Sequence, residues 1–436
     1  MLAGVLAVVV VVGGVTAGVF ATTSKTPAVP VLYMSGIGEH PCAPGQAYPL
    51  AAVTGERFLP DSSVLNGERD NSCTPDAVNA SFTWLRDGIV PGGSAAQRDL
   101  AARALLDLRL SVRADGAVVA GFHPGWQYTW PRDSSFVIAA LAATGHSAQA
   151  FSALRFLQRM QNPDGTWAAR YHPDGSGPVA DGRPAELDAV GWVPWAVWAW
   201  ATARPAPPRA ELIGLWPMVT AAAGAAMASI TSDGLPKASM DYWEDKPIQQ
   251  TLGTAAPLLA GLRAAAGLAG MRGDTTDKTR WGTAAARLSA AITAKFGATG
   301  YLRTPRAGSG ADAAVTFLGP PFGQPSAAVI AAAARARQTL TEPNGGVRPG
   351  AAWPGAPGVA FTPETAMFAL FDAATGQEAA ADQVLAWLTA HRTTLGELPE
   401  QISPNGKPIS VAPLAWTDAV VLLTLLAQQH HLPAVP

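Results

Sequence analysis

The chain has 436 residues, 48% of them hydrophobic and 14% charged, with 14 Trp. That balance excludes a disordered chain, which is poor in apolar residues and rich in charge, and it supplies apolar surface for a sizeable core. Thirty Lys and Arg against 32 Asp and Glu leave a net charge of −2, which excludes the basic footprint of a nucleic-acid or anionic-membrane binder and points to a neutral partner.

The first element is an uncharged, apolar run over Leu2–Thr23, which reads as a signal peptide or a membrane anchor. Val19-Phe20-Ala21 offers small residues at the −3 and −1 positions of a cleavage site, whereas no Lys or Arg precedes the run and the first positive charge is Lys25. Both readings imply export, so the expected location is secreted or tethered on the extracytoplasmic side. Residues 24–76 form an N-terminal segment. Its Cys42 and Cys73, the only cysteines, are expected to form one disulfide in an oxidising compartment, with two unrelated thiols as the alternative.

From residue 77 to 436 a single barrel-sized domain is expected, built of helix after helix, rich in Ala and Leu with apolar residues three and four apart. The spacing predicts helices over 77–88, 95–112, 133–144, 147–161, 186–204, 209–230, 248–269, 278–296, 324–340, 363–374, 378–392 and 413–429. Longer loops rich in Gly, Pro, Trp, Asp and Arg separate them at 113–132, 162–185, 231–247, 297–323, 341–362 and 393–412. Six loops among twelve helices suggest six helical hairpins closed into a ring, with the loops at one end lining a pocket.

The chain contains no HExxH, Cys/His cluster, GxSxG, Walker A loop or GxGxxG. What remains is loops that combine aromatic rings with Arg, Asp and Glu, the side chains that stack on sugar rings and hydrogen-bond their hydroxyls. Trp126-Gln127-Tyr128-Thr129-Trp130-Pro131-Arg132-Asp133 is the first, where Asp133 reads either as a helix cap or as part of a pocket wall. Gln161-Asn162-Pro163-Asp164-Gly165-Thr166-Trp167 matches a turn of terpene cyclases, but neither DxDD nor DDxxD occurs; Pro-Asp-Gly is turn chemistry. Gly182-Arg183-Pro184 with Asp188 follows. Met240-Asp241-Tyr242-Trp243-Glu244-Asp245 sets adjacent carboxylates beside a Trp, which suits a general acid and equally suits an acidic helix N-terminus. Glu397 and Glu400 stand in the last long loop. Two carboxylate loops entering one ring of helices is what glycoside hydrolysis requires.

In this order the segments resemble those of the family-15 glycoside hydrolases, the glucoamylase family. Trp130-Pro131-Arg132-Asp133 is similar to the Trp-x-Arg-Asp loop that holds the terminal glucose, and Gly182-Arg183-Pro184 with Asp188 is similar to its Gly-Arg-Pro loop. Tyr242-Trp243-Glu244-Asp245 resembles the general-acid segment, which puts that role on Glu244. Pro399-Glu400-Gln401 followed by Leu414-Ala415-Trp416 resembles the general-base segment, which puts that role on Glu400. Gly346-Val347-Arg348 is similar to a further sugar-binding segment. The resemblance spans about 122–429 and implies an all-α (α/α)6 barrel that releases β-glucose from the non-reducing ends of α-glucans or oligosaccharides, with inversion. Trp130, Arg132, Asp133, Arg183, Asp188, Trp243, Asp245, Arg348 and Trp416 are the substrate-binding candidates. No metal or organic cofactor is called for, and a monomer with an α-glucan or oligosaccharide substrate is expected.

The sequence departs from the family at several points. Trp126 stands where fungal members carry a Tyr near the catalytic water, Asp245 is one methylene shorter than the usual second acid, and Pro349-Gly350-Ala351-Ala352-Trp353 replaces the aromatic-acidic continuation after Arg348. Trehalose and α-1,6-glucans are alternative substrates for the same machinery. A barrel that binds glycans without cleaving them is the rival from another class.

Overall fold

The computed structural model describes residues 27–51, 55–204, 209–245 and 249–436, so the reading of 1–23 lies outside the described residues. Among the described residues, twelve α-helices occur where the periodicity places them, with ends within four residues. They are α1 Thr74–Arg86, α2 Ala95–Ser111, α3 Pro131–Ala143, α4 Ser147–Met160, α5 Ala189–Thr202, α6 Arg209–Ser229, α7 Leu252–Arg272, α8 Thr275–Lys295, α9 Ala327–Leu340, α10 Thr362–Ala374, α11 Glu378–Ala390 and α12 Ala415–Gln428. Local chemistry sets the ends. Ser94 and Gln97 close a capping box on α2, Thr251 and Ser326 cap α7 and α9, and Gly273 ends α7 in the left-handed region.

The ring is built differently from twelve equal partners. Its inner wall runs α12, α3, α5, α7, the short 3-10 segment Ala313–Leu318, α10 and back to α12. Each inner member packs on an outer helix: α3 on α4, α5 on α6, α7 on α8, the 3-10 segment on α9, α10 on α11, and α12 on α2. The sixth inner position is therefore not an α-helix, and α1 packs on α2 outside the six pairs. The expectation of six α-helical hairpins is corrected at that position. The structure is an all-α barrel with few strands.

Helices buried on every side need apolar residues on every side, and the inner ones have them. Phe136, Trp192, Trp195 and Phe322 meet at ring-centroid distances of 5.0 to 5.8 Å and close the middle of the barrel. Each such burial is worth about 1.5–3 kcal/mol. The tightest crossing is α5 on α7, where a Cβ on Gly191 would lie 2.1 Å from the Pro257 carbonyl oxygen. Only glycine allows that approach.

Five short strands complete the fold among the described residues. β1 Gly36–Glu39 and β2 Ala47–Leu50 form an antiparallel hairpin ahead of the barrel, and Cys42 and Cys73 are joined in a disulfide with Cα atoms 5.0 Å apart. At the rim, β3 Ala360–Phe361, β4 Gln401–Ile402 and β5 Pro408–Ile409 make a small antiparallel sheet in that order. Gln401 pairs with both Phe361 and Ile409. The loop expected at 393–412 thus holds a hairpin too short to leave a periodic signal.

Candidate active site

The inner helices begin at the loop end of the barrel. Arg132 and Asp133 lie in the first turn of α3, Glu364 in that of α10 and Trp416 in that of α12. The positive ends of the helix dipoles therefore gather around one cavity and favour negative charge there. The cavity has a volume of about 450 Å³. Five of the six long loops contribute to its wall, with Trp126 and Trp130, Arg170 and Arg183, Trp243 and Glu244, Pro349 and Trp353, and Glu400 and Gln401. The loop over 297–323 supports from behind. Arg303 lies 3.5 Å from the centroid of the Trp243 ring and is fixed by Asp241 at 3.0 Å and Asp312 at 2.8 Å.

Arg132 is the hub of the floor. Its Nη1 donates to Glu186 at 2.6 Å and Asp188 at 3.0 Å, its Nε lies 3.9 Å from Asp133, and its guanidinium sits over the Trp416 ring at 5.4 Å. All three acids are buried. Burial pushes Asp133 up to about 6 and Glu186 up to about 8, against the pull of Arg132. Asp133 is no cap: Trp130 occupies the N-cap position, and Asp133 is the third residue of the helix. It lines the cavity wall from the first turn of the helix.

Glu244 enters the cavity half-buried, paired with Arg183 and 3.7 Å from Arg132 Nη2. Its φ of 54° places a non-glycine residue in the left-handed region, a conformation that costs on the order of 1–3 kcal/mol. The Glu244 N–H donates to the Asp241 carbonyl at 2.8 Å, which holds the turn. Among the described residues only four others besides glycine have positive φ, and Ser410, at 68°, is one of them. Strained backbone thus occurs at Glu244 and beside Glu400.

Glu400 stands immediately before β4 and Ser410 immediately after β5, so the hairpin brings them face to face. Three donors converge on the Glu400 carboxylate: Trp126 Nε1 on Oε1 at 3.1 Å, Gln401 Nε2 on Oε2 at 3.1 Å, and Ser410 Oγ on Oε2. Burial pushes Glu400 above the usual carboxylate range, and the three hydrogen bonds oppose it. Trp126, the departure from the family pattern, binds the carboxylate directly.

The sequence reading missed Glu364. It lines the cavity at 4% exposure, its Oε2 has no hydrogen-bond partner, and burial with the nearby Glu400 pushes it up to about 8. A lone Glu after a Thr-Pro helix start looks like dipole complement, so no sequence signal set it apart. The indole nitrogens of Trp130, Trp243, Trp353 and Trp416 are likewise buried without partners around the cavity.

Of the substrate-binding candidates, Trp130, Arg132, Asp133, Arg183, Trp243 and Trp416 line the cavity with Glu244 and Glu400. Asp188 lies behind Arg132, and Asp245 is exposed outside the wall. Arg348 also lies outside: its Nη2 donates to the Trp353 carbonyl at 2.9 Å and its Nε sits 3.5 Å from Glu342. Arg348 braces the Trp353 turn in this structure. Glu397 points away into the core and accepts from the Ile37 N–H. In the turn at 161–167, Gly165 takes φ of 84° and Asp164 accepts from Thr166, as turn chemistry predicts.

Solved structures share this architecture. A wild-type glycosidase is 21% identical, with 78% of this chain and 98% of that chain covered and a TM-score of 0.66. A bacterial glucoamylase complexed with acarbose is 17% identical, with 85% and 60% covered and a TM-score of 0.66. This chain has the glucoamylase fold. A glucoamylase from Saccharomycopsis fibuligera, 14% identical over 74% of this chain and 91% of its own, aligns with a TM-score of 0.58. In sequence, 97 residues are 29% identical to an uncharacterized glycosyl hydrolase of Methanocaldococcus jannaschii, covering 22% of this chain and 15% of that relative. No family model matches the chain. The glucoamylase fold fixes where a cavity forms; the side chains in it have to carry any statement about chemistry.

Proposed function

We propose that this chain is an inverting, exo-acting α-glucosidase of the glucoamylase family, cleaving glucose from the non-reducing ends of α-glucans or oligosaccharides. The observation that carries the reading is the convergence of Glu244 and Glu400, from two separate loops, on one cavity walled by Trp130, Trp243 and Trp416 and floored by Arg132 and Asp133. Indole faces suit pyranose rings, and the carboxylates supply the two proton transfers.

In this mechanism the sugar displaces Glu244 from its pairing with Arg183, Glu244 takes up a proton from solvent, and it then passes that proton to the glycosidic oxygen as the bond to the leaving group breaks. Glu400 accepts three hydrogen bonds and donates none to the protein, the pattern of an ionised carboxylate, while its burial strengthens it as a base. It takes the proton of a water attacking the anomeric carbon from the opposite face. Arg132 and Asp133 hydrogen-bond the terminal glucose. Export is part of the proposal: the uncharged run at 2–23 and the Cys42–Cys73 disulfide both suit an oxidising compartment.

A proton NMR time course on maltose, trehalose and an α-1,6-linked disaccharide tests the reading. On one of the three, the glucose cut from the non-reducing end is expected as the β-anomer, beside a leaving glucose that keeps its own anomeric form, so that trehalose would give α and β in equal amounts. α-Glucose in excess over what the leaving unit carries refutes inversion. Oligosaccharide binding by calorimetry without glucose release turns the assignment to a glycan-binding barrel.

A further inference from the structure

Two of the three donors on Glu400 rest on a stretch of chain that precedes the barrel. The Ser410 N–H donates to the Val31 carbonyl at 2.8 Å, and the Tyr33 N–H donates to the Ser410 carbonyl at 2.8 Å. Leu32 thus forms a parallel bridge with Ser410, whose backbone is held on both sides in its left-handed conformation. On the other flank, the Tyr33 ring stacks on His123 at 4.5 Å and packs on Trp126 at 5.9 Å. Trp126 is the indole that donates to Oε1 of Glu400. Four residues on, the Ile37 N–H donates to both oxygens of Glu397 at 3.0 Å, three residues before Glu400 in the same loop. Gly36 lies so close that a Cβ there would come within 2.5 Å of that carboxylate.

We infer that the segment 31–37 is a positioning element for Glu400: one strap fixes Ser410 through its backbone, Trp126 through a ring stack, and the start of the loop through Glu397. The catalytic part of this inference rests on the reading of Glu400 as the base. The barrel's own contacts leave Ser410 without a partner for its backbone N–H other than Val31, and a non-glycine residue at positive φ persists only where its surroundings hold it. The strap supplies that hold. Residues outside the ring of helices thereby become part of the active site without touching the cavity.

Tyr33 is 38% exposed, so its ring is there for its neighbours rather than for the core. Tyr33→Ala removes the stack, and Tyr33→Phe keeps it. Amide hydrogen exchange on the full chain reads the strap directly. In Tyr33→Ala the peptides covering 120–128 and 398–411 should exchange about tenfold faster, with α5 and α7 unchanged. The same variant should lose roughly tenfold in kcat on the substrate found above with KM within about twofold, since a small displacement of a catalytic group costs rate more than binding. The acidic limb of its pH profile should move to higher pH as Trp126 loosens from Glu400, which also faces Glu364 of α10, Asp133 of α3 and Glu244 across the cavity. Tyr33→Phe should restore all three readouts. Unchanged exchange in both peptides overturns the strap, as does unchanged kcat in an active enzyme. If the wild type cleaves no glucoside, the functional reading fails by itself, and the exchange comparison still decides whether the strap orders the loop.

Discussion

Replacing Trp126 by Phe keeps an aromatic ring in the cavity wall and takes one donor from Glu400. The indole holds Oε1 at 3.1 Å, while Gln401 and Ser410 hold Oε2, so the variant leaves one oxygen without the bond that orients it. A hydrogen bond to a charged group is worth about 1.5–3 kcal/mol, which is roughly ten- to hundredfold in the balance between carboxylate and acid. The sign follows from the burial of Glu400, which pushes it up, and from the donors, which pull it down. With one donor gone the proton stays on to higher pH, so the acidic limb of kcat/KM moves towards neutrality. Initial rates of glucose release across the acidic range should show Trp126→Phe about ten- to hundredfold slower at the low end, with the gap closing as pH rises. The same deficit at every pH would mean that Trp126 acts by packing alone. A profile that overlays the wild type would refute the claim that the indole holds the carboxylate.

Glu244→Gln should lose roughly 10²–10⁴ in turnover on a natural glucoside and much less on α-glucosyl fluoride, whose leaving group needs little protonation; equal losses remove Glu244 from the role of acid. Glu364→Gln, isosteric and neutral, should keep kcat/KM within about threefold near pH 5–6, below the value of about 8 to which Glu364 is pushed; a loss as large as that of Glu400→Gln would make Glu364 a reacting group. Asp107, Asp133 and Asp372 at about 6 and Glu186 and Glu364 at about 8 all lie above their unfolded values. Their stabilisation is complete below the unfolded range and is lost as pH rises through 6 to 8, so calorimetric Tm should be higher at pH 5 than at pH 8.5, and a rising trend would contradict it. The Cys42–Cys73 bridge spans 31 residues, worth about 3–4 kcal/mol by loop closure; replacing both by Ser should lower the unfolding midpoint, and free thiols in freshly isolated protein would exclude the bridge.

Helix positions were legible because inner and outer helices alike repeat apolar residues at helical spacing. The sixth inner member was not. Ala313–Leu318 makes one 3-10 segment between Gly-rich turns, too short for a period, while α1 offered an amphipathic pattern that belongs outside the ring. Counting helices therefore gave twelve for the wrong set of partners. The cavity wall was legible where aromatic and charged residues share one loop, as at Trp130–Asp133 and Trp243–Glu244. It was not legible for contacts that depend on strand pairing. Ser410 lies ten residues from Glu400 and Trp126 lies 274 away, and no spacing rule joins them. Nor did spacing show that the turn after Arg348, Pro349–Trp353, gives its guanidinium a backbone carbonyl to bind.

The contrast between Glu400 and Glu364 shows how one small cavity sets two carboxyl groups to different tasks. Glu364 is buried and Glu400 partly so, both face the same space, and Glu400 raises the cost of charging Glu364. Like charges at close range do not both ionise cheaply, and the donors decide which one does. Glu400 has an indole, an amide and a hydroxyl aimed at its two oxygens, while Oε2 of Glu364 has none. Glu364, pushed up to about 8, therefore holds its proton more firmly, while the three donors favour the charge on Glu400. A neutral Glu364 can offer its proton to a sugar hydroxyl, and by staying neutral it leaves the field of the inner helix N-termini to Glu400. The donor set on Glu400, more than its burial, is what makes it the ionised member of the pair, and two of those three donors are held by the strap at 31–37.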